Sequence, residues 1–265
     1  MALGLLAVLR DEEPQLPAFL ELLDGLETHP DLGGLYCSFY ENDSVDATAA
    51  CLEAWLQDRP GSLITETFAE LRFTGRETAR TRRLAAARNQ ALEMLLRQPL
   101  DWLLVIDVDL RITLDDILQL FGLKKRYPHA SMLCASSMHN VPDVFGEGPW
   151  SYYDSWALRD LEGGPGITFA ANPFRRCHDR WRWMAGLPVS VASAFGGVAL
   201  LAMDVVRQQK LFWNGEAGCE HWAFCAGARR AGPVLACPTV RPQVWHRYPP
   251  RWSASYADWA SCQLT

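Results

Sequence analysis

The stretch that most constrains how this chain can fold is Trp102–Leu110, read as Trp-Leu-Leu-Val-Ile-Asp-Val-Asp-Leu. Trp102 to Ile106 run apolar without a break, the pattern of a central strand covered on both faces. The run stops at Asp107 and Asp109. Side chains two apart in an extended segment point the same way, so both carboxylates face one spot. That spot lies at the carboxyl end of a buried strand, where open α/β sheets bind their ligands. Two hard oxygen donors there suit Mg²⁺ or Mn²⁺, completed by a substrate phosphate. An Asp-x-Asp alone is common and often only a strand-end turn; the strand before it gives this one weight.

The flanking sequence supplies an α/β alternation. Strands are expected at Leu3–Leu9, Gly33–Tyr40, Leu63–Thr67 and Ser131–Ser136, with helices over Gln15–Leu26, from the 44–48 turn through Leu56, Glu77–Arg97 and Leu114–Lys125. Pro99 halts the third of these helices and Thr113 caps the fourth. Strands alternating with helices over the first 136 residues argue for a mostly parallel central sheet flanked by helices. His139–Tyr153 reads as a long functional connection. Further on, Phe195–Met203 is apolar with Gly196-Gly197 near its start. A helix follows it, a second spans about Glu220–Ala231, and a late strand covers Val234–Val240; the last 25 residues read as irregular.

Bulk properties exclude several classes. A hydrophobic share of 49% against 21% charged residues fits a large core and not a disordered chain. The net charge of −6 gives no support to a nucleic-acid partner. No segment approaches the ~18 uninterrupted apolar residues of a membrane span, so no integral membrane segment is expected. Met1–Leu9 lacks a basic start and runs into Arg10-Asp11-Glu12-Glu13, which fits a first strand better than a signal peptide. The eight cysteines include no Cys-x-x-Cys pair, so reduced thiols in a cytoplasmic protein are expected.

Two further clusters carry chemistry. Glu41 precedes Ser44-x-Asp46-x-Thr48 at the end of the second strand, where a carboxylate can grip a ribose or base; Ser44 or Asp46 can instead cap the next helix. On the third helix, Leu84, Arg88, Leu92 and Leu95 share one face, so an arginine interrupts an apolar stripe. A buried guanidinium needs an anion, and a nucleotide phosphate, Glu41 or a purely structural acid would each serve.

Taken in order, Glu41-Asn42-Asp43-Ser44-x-Asp46-x-Thr48, Leu84-Ala85-x-x-Arg88-Asn89-x-Ala91-Leu92 and Asp107-Val108-Asp109 resemble a GT-A glycosyltransferase. Tyr152-Tyr153-Asp154-Ser155-Trp156-Ala157-Leu158-Arg159-Asp160 sharpens the resemblance toward the CAP59-like, capsule-associated α-mannosyltransferase family. It is ordered from about Leu35 to Asp160 and looser through Phe195–Asp204 and Glu220–Arg229.

The resemblance implies a single GT-A (Rossmann-like) domain over 1–265, with a nucleotide-sugar half at about 1–136 and an acceptor half at about 137–265. It implies transfer of a hexose, mannose by family, from GDP-mannose or a UDP-hexose to a carbohydrate or other hydroxyl acceptor, with retention. A divalent cation, Mn²⁺ or Mg²⁺, would bridge Asp109 to the donor diphosphate. Asp107 would contact the ribose or a metal-bound water, and His246 would complete the metal shell. Glu41 and Arg88 join the donor-binding set. Asp154 would hydrogen-bond donor-sugar hydroxyls with Arg159 nearby. Glu220 would be the general base of an inverting reaction or an acceptor ligand in a retaining one. The family's long membrane-anchored N-terminal extension is expected to be absent here.

The chemistry agrees with that carry-over. Breaking a sugar–phosphate bond builds negative charge on the departing diphosphate, which a cation and nearby arginines stabilise. Arg175, Arg176, Arg180 and Arg182 could close over the diphosphate as a lid. Trp150, Trp156, Trp181 and Trp183 offer flat faces for sugars. A sugar-phosphate nucleotidyltransferase would need a glycine-rich loop after the first strand, and Arg10-Asp11-Glu12-Glu13-Pro14 contains no glycine. The remaining alternative is a non-catalytic carbohydrate-binding protein of the same fold.

Overall fold

The computed structural model describes residues 1–68, 77–140 and 149–244. The chain opens with β1 (Ala2–Leu9), α1 (Leu16–Glu27), β2 (Gly34–Asn42), α2 (Thr48–Leu56) and β3 (Gly61–Glu66). Then come α3 (Thr78–Leu96), β4 (Trp102–Ile106), β5 (Leu110–Arg111), α4 (Leu114–Arg126), β6 (Met132–Cys134), β7 (Met138–Asn140) and β8 (Trp150–Tyr152). The later half adds α5 (Cys177–Met184), β9 (Val189–Val191), β10 (Val198–Ala202), α6 (Met203–Gln209), α7 (His221–Ala228), β11 (Val234–Ala236) and β12 (Gln243–Val244).

One sheet runs β3-β2-β1-β4-β10-β6-β11-β9, and a smaller one runs β5-β12-β7-β8. β4 is central, as its unbroken apolar run requires. Its side chains alternate between two cores: Leu103 and Val105 pack on the α3, α6 and α7 side, Leu104 and Ile106 on the α1, α2 and α4 side. Each is at most 2% exposed, and full burial of such a side chain contributes roughly 1.5–3 kcal/mol as an upper estimate. β10 follows the same alternation, with Ala199 and Leu201 on one side and Val198 and Leu200 on the other. On α4 the expected cap forms: Thr113 accepts the Asp116 backbone N–H while Asp116 accepts that of Thr113.

The sheet is mostly parallel, as expected: the pairings from β3 to β4 and that of β6 with β11 are parallel, while β10 lies antiparallel to both β4 and β6. The structure departs from the sequence reading in two places. The 139–153 connection contributes β7 and β8, which pair with each other; strands of three residues are too short to show a period. α2 starts at Thr48 with Ala47 as its cap residue, and Asp46 accepts the Thr48 N–H from one position further out (3.0 Å). Ser44 accepts from Asp11 instead of capping the helix.

Entry into β10 is made by Gly196 and Gly197, both left-handed (φ +62° and +75°). A Cβ on Gly196 would stand 2.0 Å from the Ala135 carbonyl oxygen, and one on Gly197 2.4 Å from Leu110 Cδ1. The turn also carries site geometry. The Asp107 N–H donates to the Gly197 carbonyl (2.8 Å), and the Gly196 N–H donates to Asp154 Oδ2 (3.0 Å). Gly196→Ala combines a left-handed penalty of roughly 1–2 kcal/mol with an overpacking cost of roughly 1–3 kcal/mol. A loss of about 3 kcal/mol in urea unfolding is expected; an unchanged midpoint would mean the turn can relax.

Candidate active site

The site grows from the tip of β4. Asp107 is the first residue past the strand, its side chain 31% exposed, and Asp109 beside it is half-buried. Behind them Arg88 of α3 is 4% exposed. Its Nη2 donates to Asp107 Oδ1 (3.1 Å) and its Nη1 donates to Glu220 Oε1. Glu220 sits at the cap position of α7 and is 3% exposed. The partners of Arg88 are therefore these two acids, and Glu41 is bound elsewhere: its Oε1 accepts the Ser44 N–H (2.8 Å).

A second layer fixes Glu220. His221 Nε2 lies 3.5 Å from Glu220 Oε1, and its Nδ1 accepts from the Trp213 indole N–H (3.2 Å). An indole can only donate, so the His221 proton belongs on Nε2, facing Glu220. The imidazole also stacks on Phe195, with centroids 4.0 Å apart. Trp213 is held in turn by Asn89, which accepts its backbone N–H (2.8 Å) and donates to its carbonyl (2.9 Å). About two turns earlier, Thr81 donates to the Gly215 carbonyl (2.7 Å). α3 is thus fastened along its length to the loop that leads into α7. His221 and Trp213 were not singled out from the sequence; the only signal was an acid and a histidine opening an apolar helix.

Asp154, on the loop after β8, accepts the N–H groups of Gly196 and of Ala157 (3.2 Å). Asp107, Asp109, Asp154 and Glu220 act on one another electrostatically, with Arg88 among them. Burial drives the Asp107 carboxyl up, the neighbouring acids add to this, and Arg88 opposes it; it ends at about 7. Asp154 is raised by burial to about 6, against the pull of its two N–H donors. Burial acts most strongly on Glu220 and raises it, but Arg88, together with His221 and a backbone hydrogen bond, brings the carboxyl below its ordinary value. His221, desolvated and beside Arg88, is pushed down to about 3 and is neutral at physiological pH.

The loops after β1 and β2 are stitched together. Ser44, Asp46 and Thr48 accept the backbone N–H groups of Asp11, Glu13 and Glu12 (3.0, 3.1 and 2.8 Å). Asp11 and Glu13 accept those of Val45 and Ala47 in return (2.8 and 2.9 Å). Other expected site residues lie elsewhere. Arg159 donates to the Trp156 and Leu158 carbonyls (3.1 and 2.7 Å) and lies 4.1 Å over the Trp222 ring. The arginines at 175–182 form no lid. Arg180 and Arg182 lie in α5 and Arg175 and Arg176 just before it; α5 packs on β9, four strands and about 19 Å across the sheet from β4 at ~4.8 Å per strand. Arg182 donates to the Pro188 carbonyl (3.0 and 2.8 Å), and Arg176 lies 3.4 Å from Glu162. His246 lies outside the described residues.

Among the described residues no group of three His, Cys, Asp or Glu is arranged as a complete metal shell. The donors present, Asp107 and Asp109, nonetheless fit a hard divalent ion. They are carboxylates on one edge of the sheet, in a cluster where acids outnumber the single guanidinium, and a substrate phosphate would supply the missing oxygens.

Sheet order, the central antiparallel strand and an acid pair at the β4 tip define the GT-A class of α/β fold, the fold of nucleotide-sugar transferases. The family model described as Cryptococcal mannosyltransferase 1 matches residues 9–228, and the chain belongs to that family. Among solved structures it is similar to the mannosyltransferase PcManGT from Pyrobaculum calidifontis, solved with GDP-Man and Mn²⁺ (TM-score 0.57, 13% identity, 98% of this chain and 60% of that one). It is also similar to residues 1–349 of S. aureus TarS (TM-score 0.54, 13% identity, 92% and 60%). The chain thus spans about 60% of the length of these structures, and at this identity the likeness concerns the fold. Among curated protein sequences nothing matches significantly.

Two outcomes test the cluster. Arg88→Met leaves Glu220 buried without its counter-charge and should cost about 3–5 kcal/mol in urea unfolding. Adding Glu220→Gln to it should recover part of that loss, as a double-mutant cycle would show. The second concerns pH. Below about 6.5 the unfolded chain binds a proton at His221 that the folded state refuses until about pH 3. Stability from this group is therefore complete above 6.5 and lost as pH falls through that window. His221→Phe should lower stability at pH 7 but flatten the acid slope, by on the order of 4 kcal/mol over the window. Parallel slopes for the two proteins would rule the account out.

Proposed function

We propose that this chain is a metal-dependent glycosyltransferase that moves a hexose from a nucleotide-diphosphate sugar to a hydroxyl acceptor, with GDP-mannose and a glycan acceptor as the first pair to assay. The observation that carries the reading is the Asp107–Asp109 pair at the β4 tip, with Asp107 aimed by the buried Arg88. Family membership and a fold neighbour solved with GDP-Man and Mn²⁺ support the donor class.

In this reading Asp107 and Asp109 hold the cation, Mn²⁺ or Mg²⁺, which when bound neutralises charge on the departing diphosphate. Arg88 keeps the Asp107 carboxylate in one orientation and limits the mutual repulsion of the acids. Glu41, at the carboxyl end of β2 beside β1, is the candidate for the nucleoside. Asp154, half-buried and fixed by Gly196 and Ala157, is the carboxylate for a sugar hydroxyl. A general base works best with a pKa near ambient pH and with access to the attacking hydroxyl. Glu220 is buried, ion-paired and shifted downward, so we assign it to aiming Arg88 and prefer retention to inversion. Residues from 137 onward are the proposed acceptor side.

The experiment is a screen of nucleotide sugars for slow, Mn²⁺-dependent donor hydrolysis, which needs no acceptor. Asp107→Ala and Asp109→Ala should each reduce turnover by at least about 10³-fold, on the scale of removing one preorganised electrostatic contact. Thermal unfolding should show the variants still folded. Full metal-dependent turnover in the double variant would exclude this mechanism.

A further inference from the structure

The helix α5 carries a surface unrelated to the site. At about 100° per residue, Cys177, Trp181 and Met184 form the centre of one face, with Arg180 on one flank and His178 on the other; all five are exposed. Trp181 is 62% and Met184 77% exposed. The opposite face is anchored: Trp183 is 3% exposed and packs edge-on against Tyr152 and Phe174. Four arginines, at 175, 176, 180 and 182, stand near three acids, of which Asp160 and Asp179 are buried and only Glu162 is exposed, so the exposed surround is cationic in a chain of net charge −6. Asp179 is buried on the inner side of the helix.

We infer that α5 is an interfacial anchor that docks this edge of the sheet onto an anionic lipid bilayer. An indole and a thioether at the centre of a helix face, flanked by cations, match the physics of a helix lying in the headgroup region. Arginine near an anionic surface adds attraction that neutral lipid does not supply. A glycan surface would need carboxylates or amides beside the ring to bind hydroxyls, and the exposed face of α5 has none. The anchor lies at the β9 edge, on the proposed acceptor side, and so leaves the β4 tip clear of the bilayer.

The test uses the full chain with phosphatidylcholine vesicles, with and without phosphatidylglycerol, in a sedimentation assay. Binding to the anionic vesicles alone, released by salt, is expected. Trp181→Ser with Met184→Ser should lower the partition constant about tenfold or more, and Arg180→Gln about fivefold, with donor hydrolysis unchanged. Failure to bind either vesicle, or equal binding by wild type and the double variant, would overturn the proposal. So would a concentration-dependent dimer that the same substitutions abolish, because the face would then be a protein contact. None of these outcomes depends on the donor chemistry, so the anchor and the transferase reading stand or fall separately.

Discussion

A guanidinium buried in a protein interior is tolerated only where acids meet it, because an unpaired charge there costs several kcal/mol. Arg88 imposes that condition on this fold. Its partners come from the tip of β4 and the start of α7, 19 and 132 residues away in sequence. Both meet Arg88 on the face of α3 that lies against the sheet. The neighbouring bonds from Asn89 to Trp213 and from Thr81 to Gly215 follow the same line along α3. One helix therefore fixes the relation between the nucleotide side and the later half of the chain.

The same pairing sets the electrostatics. Arg88 serves two carboxylates, and it cannot satisfy both as fully as it could one. Glu220, the more deeply buried, ends below its ordinary pKa, while Asp107, more open to solvent, ends above. The shortfall of positive charge thus falls on the accessible acid. Such a carboxylate gains most from an added cation, whereas Glu220 has its counter-charge already. The division between a structural acid and a ligand-seeking acid follows from burial and from the order in which Arg88 meets them.

How much of this could be read from the sequence varies with the range of the interaction. β4 was legible because an unbroken apolar run of five residues ending in acids leaves few alternatives. Arg88 was legible as a buried charge because it interrupts a stripe of leucines, but its partners were not, since nothing local distinguishes Glu220 from Glu41 as a counter-ion. Ser44, Asp46 and Thr48 were recognised as a polar turn, yet their actual work is to bind the loop after β1, a contact across some 33 residues. α5 was missed because Cys-His-Asp-Arg-Trp-Arg-Trp-Met carries no apolar stripe; only Asp179 and Trp183 face inward. The two-stranded β7–β8 ladder was missed for lack of length.

The antiparallel strand explains why residues from the later half of the chain reach the site at all. In a wholly parallel sheet every strand would end at the carboxyl edge, and residues from the next segment would reach it only through long loops. β10 runs the other way, so its start lies beside the end of β4, with Val198 opposite Ile106. The residues just before it, Gly196 and Gly197, are thereby placed against Asp107 without further chain. Glycine is needed at both because the backbone turns left-handed there and a Cβ would stand 2.0 Å from the Ala135 carbonyl oxygen at Gly196 and 2.4 Å from Leu110 Cδ1 at Gly197. Asp154 is bound to that turn, so reversing one strand brings the acid of the later half to the acids of the earlier one.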